Sequence, residues 1–226
     1  MDIHNNDFAL SLSKELILRV VDAMGAFLSD ENLAGILASF TGGTICNDYG
    51  WKGVISDGTY FRTVVVRNPQ PFKVKHVRLI SGRNSPDYSF DIENVHTEDP
   101  DKLGEMILGI WNARITDVRK KFATTRTVVL IKGDDLSTVS VFEEEALKFL
   151  PEDYEWEWNQ KGNLEGYIKG SDVKKFTWQP HGSQFTVTTV VPDNRLKLRI
   201  RRPPLLNRDE VLTQLKFDPS WIEIVK

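Results

Sequence analysis

Apolar positions near the start of the chain recur at helical spacing. Leu12, Leu16, Val20, Met24 and Leu28 fall four residues apart, and Ile17, Val21 and Phe27 widen the stripe. An amphipathic helix is therefore expected over Phe8 to Ser29. Asp30 can cap a shorter second helix to about Phe40, and Thr41-Gly42-Gly43 would end it. Beyond Gly50 the texture changes to β-branched and aromatic runs at Thr59 to Arg67, Phe72 to Ile80 and Tyr88 to Val95, which predict three strands. Turn residues from Ser81 to Pro86 separate the last two and predict a hairpin. Asp99-Pro100 then starts a long helix whose buried face is traced by Leu103, Ile107, Trp111, Ile115, Val118 and Phe122. The near-continuous apolar run from Arg126 to Lys132 predicts a central strand covered on both sides.

The second half is strand-rich. Tyr154, Trp156 and Trp158 alternate with Asp153, Glu155 and Glu157, predicting a half-buried strand with an acidic outer face. Further strands are expected at Leu164 to Ile168, Lys175 to Trp178, Gln184 to Val191 and Arg195 to Arg201, with Pro192-Asp193-Asn194 turning the last two into a hairpin. Asn207 and Glu210 resemble a capping box for a short helix over Asp209 to Phe217, and Trp221 to Val225 reads as a final strand. No internal repeat or linker divides the chain. The expectation is an α+β protein, residues 1–226 in one domain: a mixed central sheet flanked by helices in an α-β-β-β-α-β core over 1–133, and a β-rich extension over 134–226.

Composition narrows this picture. A 40% hydrophobic content with six Trp and twelve Phe is that of a folding chain, not a disordered one. Cys46 is the single cysteine, so an intramolecular disulfide is excluded, and no Cys/His spacing matches a zinc site. The first residues are acidic and polar, and no apolar run approaches the roughly 20 residues of a membrane span. A cytoplasmic location without membrane association is expected. The net charge of −3 argues against coating of nucleic acid by bulk charge, so any such surface must be local.

Candidate chemistry begins with Asp91 and Glu93. On a strand over Tyr88 to Val95 they would share one face, about 6.5–7 Å apart at Cα, and could converge on one hard cation such as Mg²⁺. The element order, the triplet Asp91-Ile92-Glu93 before the long helix, and the pair Pro86-Asp87 together resemble the PD-(D/E)XK nucleases, which include many type II restriction endonucleases. The resemblance spans roughly Ala9 to Lys132 in element order and only a few residues in motif. Glu93 stands where lysine is usual in that family. Asp87 is four residues before Asp91, about 13 Å along an extended strand, so Asp57 is an alternative first acid. His76, with Lys75 beside it, could activate water or neutralise phosphate. The bland alternative is that short acidic triplets on half-exposed strands are common.

A second candidate surface is the cation row Arg195, Lys197, Arg199 and Arg201, which could follow a phosphate backbone or simply protect a sheet edge. The polar loop from Trp178 to Gln184 offers Gln179, His181 and Gln184 for contacts with base edges, or is an ordinary connection. The resemblance implies a Mg²⁺-dependent endonuclease cutting double-stranded DNA, acting as a homodimer. The alternative is a non-catalytic nucleic-acid-binding accessory protein or an inactive nuclease-fold subunit.

Overall fold

The computed structural model describes residues 1–23, 28–201, 207–216 and 218–221. Helices α1 (Asn6–Ala23) and α2 (Asp30–Thr41) precede strands β1 (Thr44–Cys46), β2 (Gly53–Ser56), β3 (Thr59–Arg67) and β4 (His76–Arg83). A one-turn helix α3 (Pro86–Phe90) and the long α4 (Pro100–Lys121) follow. Then come β5 (Thr124–Lys132), β6 (Thr138–Glu145), β7 (Tyr154–Trp158), β8 (Leu164–Ile168), β9 (Lys174–Gln179), β10 (Gln184–Val190), β11 (Leu196–Arg199) and α5 (Arg208–Gln214).

The strands form two sheets. The first is six-stranded and mixed, in the order β1-β2-β3-β5-β6-β11; β3 and β5 run parallel through the α4 crossover and the other pairs are antiparallel. The second is antiparallel throughout, in the order β4-β10-β9-β8-β7. This is the expected α+β architecture, with a mixed sheet flanked by helices and a β-rich C-terminal half. The two halves also exchange strands. β4, from before residue 133, joins the second sheet, while β6 and β11, from after it, complete the first.

Local chemistry accounts for the helix ends. Ser29, not Asp30, caps α2, in a reciprocal box with Asn32. The Asp30 carboxylate instead accepts the Val65 N–H at 2.7 Å, and its carbonyl accepts the Thr63 hydroxyl at 2.7 Å. Both bonds pin α2 to β3. Gly42, at φ 66°, ends α2 in the left-handed region. In α4, Asp99 caps the Lys102 N–H and Pro100 occupies the first turn, as the sequence predicts.

Two apolar clusters result. One is mainly aliphatic and joins α1 and α2 to β2, β3, β5 and β6, with Val77 and Leu79 of β4 packed into it. The other is aromatic: Leu103, Ile107, Trp111 and Ile115 of α4 pack with Trp51 and Tyr60 on one side and Trp156, Phe176, Trp178 and Phe185 of the second sheet on the other.

Several expected elements are corrected. Tyr88 to Val95 is not a strand: Pro86 starts α3, Asp91 ends it at φ 55°, and a short 3-10 turn follows at Val95–Thr97. The hairpin expected there does not form: the chain turns at Ser85 into α3, and the neighbour of β4 is β10. β4 itself starts at His76, later than the expected Phe72. Nor do β10 and β11 form a hairpin. Pro192-Asp193-Asn194 carries the chain from the second sheet to the first, where β11 pairs with β6. β1, β2 and β6 have no counterpart in the sequence reading. Of the first expected helix, residues 24–27 lie outside the described residues, and Leu28 and Ser29 are not helical, Ser29 being the extended cap of α2; most of the strand expected at Trp221 to Val225 also lies outside the described residues. Trp221 itself closes a 3-10 turn.

Candidate functional site

The acidic candidates do not share a strand face. Asp87 lies in the first turn of α3, Asp91 is the exposed residue that closes it, and Glu93 is exposed on the loop beyond. Helix geometry shortens the Asp87–Asp91 separation from the about 13 Å of a strand to roughly one helical turn, about 6 Å at Cα. Asp91 and Glu93 line one open depression of about 540 Å³ with Asn94, Glu98 and Lys102. Lys102 is already paired with Glu98 at 2.9 Å. Among the described residues, no group of three or more His, Cys, Asp or Glu side chains is arranged to hold a metal ion. Two carboxylates fit Mg²⁺ only where phosphate and water oxygens complete its shell.

The remaining catalytic candidates stand apart. Asp57 (φ 49°) and Gly58 (φ 70°) form the two-residue turn between β2 and β3, whose flanking residues Ser56 and Thr59 are register partners. Asp57 is thus explained by turn chemistry. His76 starts β4 opposite Val190, about 23 Å along the strand from the end that leads into α3.

The basic row divides into one internal tie and three exposed cations. Arg195 is 7% exposed, and its guanidinium donates to the carbonyls of Pro192 and Phe72. It fixes the sheet-to-sheet crossing and is not available to phosphate, which corrects its expected role. Lys197, Arg199 and Arg201 are exposed. Lys197 pairs in register with Ser140, whose hydroxyl donates to the Pro71 carbonyl at 2.6 Å, so Lys197 projects on the face covered by the segment leading to β4. That segment carries the exposed Lys73 and Lys75, and the Lys75 carbonyl accepts the Val191 N–H at 2.8 Å. His76 and Arg78 continue the row on β4, which is one edge of its sheet, as β11 is one edge of the other. Among the described residues none of Lys73, Lys75, Arg78, Lys197, Arg199 and Arg201 has an ion-pair partner.

The polar loop candidates hold together better. Gln179 and Gln184 are register partners at the end of the β9–β10 hairpin, and Gln184 also stands opposite the exposed Arg83 of β4. His181 is exposed at the tip, where Gly182 (φ 84°) and Ser183 (φ 52°) make the turn. The loop is anchored beneath: the Asn84 N–H donates to the Ser183 carbonyl at 2.8 Å, and Trp178 donates its indole N–H to the Asn84 carbonyl at 2.7 Å.

A buried polar group was not singled out in the sequence. Arg62, Thr127 and Glu144 are register partners on the neighbouring strands β3, β5 and β6, so they form a polar row across the first sheet. Arg62 is 3% exposed. Its guanidinium donates to the Ile80 carbonyl at 2.6 Å and lies 5.1 Å and 5.7 Å from the ring centres of Trp51 and Trp111. Burial pulls its pKa down to about 10. Glu144 accepts the Thr189 hydroxyl of β10 at 2.6 Å, a bond that joins the two sheets. The visible signal for Arg62 was a cation inside the otherwise apolar-to-neutral run Tyr60-Phe61-Arg62-Thr63-Val64.

No family model matches the chain, and neither a curated protein nor a solved structure matches it. Among the described residues no helix is long and apolar enough to cross a membrane.

Proposed function

We propose that the chain is a nucleic-acid-binding protein that holds the phosphate backbone along its two neighbouring sheet edges. The observation that carries this is the set of exposed cations without an ion pair among the described residues on β11, on the segment leading to β4 and on β4 itself: Lys73, Lys75, Arg78, Lys197 and Arg199. Such cations gain from releasing counterions on meeting phosphate, and a local basic strip gives this on a chain of net charge −3. Gln179, Gln184 and Arg83, side by side at the end of the second sheet, are suited to bidentate contacts with adenine and guanine edges. The buried, unpaired thiol of Cys46 suits the reducing cytoplasm where such a partner resides. The test is duplex-DNA binding at low salt by fluorescence anisotropy. Replacing Lys197 and Arg199 together by Ala is expected to weaken binding at least tenfold, and equal binding by wild type and variant removes the proposal.

Mg²⁺-dependent cleavage of double-stranded DNA by a homodimer is the second reading. It is favoured by Asp91 and Glu93 opening onto one depression. Plasmid DNA with Mg²⁺ tests it directly: cutting that is lost in both Asp91→Ala and Glu93→Ala supports it. Binding without cutting leaves the accessory-protein reading.

A further inference from the structure

Gly109, Ala113 and Asp117 follow one another at one-turn intervals along α4. With Tyr49, Phe90 and Arg114 they line an open pocket of about 480 Å³, within the range of roughly 300–1,000 Å³ typical of small-ligand sites. Internal packing does not require the glycine. Glycine inside a helix is less favourable than alanine, yet a Cβ at Gly109 would meet only the Phe90 ring, at 3.9 Å. Gly104 of the same helix differs, because a Cβ there would strike Trp156. Phe90 ends α3 and is 47% exposed. Tyr49 belongs to the 3-10 turn Asp48–Gly50 and adopts φ 65°, a left-handed conformation that bulky residues seldom enter. Its ring is held edge-on to Tyr60 at 5.8 Å.

Two polar groups complete the lining. Arg114 and Asp117 are three residues apart on α4, so they are neighbours on its surface. The Arg114 guanidinium is fixed in place by the carbonyls of Ser81 and Arg83, at 2.9 Å and 3.1 Å, and by the Asn84 side-chain oxygen at 3.3 Å. A guanidinium has five N–H donors, and the others have no hydrogen-bond partner among the described residues. Asp117 accepts from Lys120 at 2.8 Å, in an exposed pair that solvent screens. A rigid donor and an acceptor thus stand side by side in a pocket that also presents two aromatic rings.

We infer that this pocket holds one unstacked guanine base. Phe90 and Tyr49 supply ring faces of the kind on which single bases stack. Guanine presents its O6 acceptor next to N–H donors, the complement of a guanidinium next to a carboxylate, whereas adenine presents a donor where guanine has O6. Gly109 and Ala113 leave the helix surface between these groups low enough for a flat ring to lie on it. The inference goes beyond the backbone contacts of the basic edges and uses none of their residues, so the two readings fail separately.

The experiment is titration of the full chain with 5′-GMP, followed by amide chemical shifts and by calorimetry, with 5′-AMP and inorganic phosphate as controls. GMP is expected to shift the amides of Gly50, Gly109 and Ala113 and to bind roughly fivefold or more tightly than AMP, as expected for a base edge that is matched rather than mismatched. Phosphate alone should leave those amides unmoved. Phe90→Ala is expected to weaken GMP by roughly fivefold or more, on the scale of base–aromatic stacking, with duplex affinity and its salt slope unchanged. Gly109→Ala is expected to raise the melting temperature and yet weaken GMP, because the added methyl group favours the helix and occupies the pocket. Absent shifts, equal affinities for GMP and AMP, or GMP binding untouched by both variants overturns the inference. Duplex binding that persists in that event leaves the reading of the basic edges standing; should Phe90→Ala not fold, the wild-type titrations and Gly109→Ala still decide.

Discussion

The two apolar clusters solve different problems. The one beneath α1 and α2 is built mainly from Leu, Ile and Val with few polar inclusions. The one around α4 is built from Trp, Phe and Tyr, fits tightly, and encloses Arg62, with Glu144 and Lys175 at its margin. Large rings supply much buried area while leaving room between them for a polar group, and indole faces can hold a guanidinium. The aliphatic cluster therefore serves stability, while the aromatic one also accommodates charge.

Substitutions can break this contrast. The largest effect is expected from Trp111→Ala, which removes the packing against Trp51, Phe149 and Phe185, the bond to the Leu147 carbonyl, and one wall of Arg62. Urea unfolding should show a stability decrease of about 3–5 kcal/mol. A decrease no larger than that of an ordinary surface change would mean the aromatic cluster is not a tightly packed core.

Glycine-to-alanine changes on the two helices should then differ in sign. A methyl group at Gly104 of α4 would stand 2.3 Å from the Trp156 ring, so Gly104→Ala is expected to cost about 1–3 kcal/mol. At Gly35 of α2 it would meet nothing within 4 Å, and Gly35→Ala is expected to stabilise by about 0.5–1 kcal/mol through helix propensity. Equal signs in chemical denaturation would contradict the difference in the space beside the two glycines.

The smallest effect belongs outside both cores. Burial alone would raise the pKa of Glu165, but hydrogen bonds from Lys174, Asn159 and Tyr167 outweigh it and leave the group depressed. Its stabilising contribution is thus present above the ordinary glutamate value and lost as pH falls through the depressed one. Glu165→Gln should be less stable than wild type at neutral pH, by less than about 1 kcal/mol because solvent screens the pair, and the gap should close in acid. A gap that persists unchanged at low pH would count against the charge as its origin.

Much of the fold was legible wherever a single element carries its own period. The stripe from Leu12 to Val20, the Asp99-Pro100 start of α4, the run of β5 and the alternation of β7 all predict what forms. What could not be read was pairing. Tyr88-Ser89-Phe90-Asp91-Ile92-Glu93 alternates as a strand would, but Pro86 starts a helical turn there, and the strand that pairs with β4 is β10, a hundred residues away. For the same reason Pro192-Asp193-Asn194 reads as a hairpin turn although it joins two sheets. The candidate sites follow suit. Lys197 and Arg199 are exposed as their alternation implies, whereas Arg195, identical in that pattern, is consumed by the crossing. Lys175 is brought inward by a bulge that periodicity does not encode.

The division of the basic row between an internal tie and an external surface can be measured in one way above others: the salt dependence of duplex-DNA affinity. Each phosphate that a variant no longer neutralises should lower the log–log slope by about 0.9. Replacing Lys197 and Arg199 together by Ala is expected to flatten the slope by about twice that amount at unchanged stability. An unchanged slope, or no salt-dependent binding by the wild type, would contradict the account.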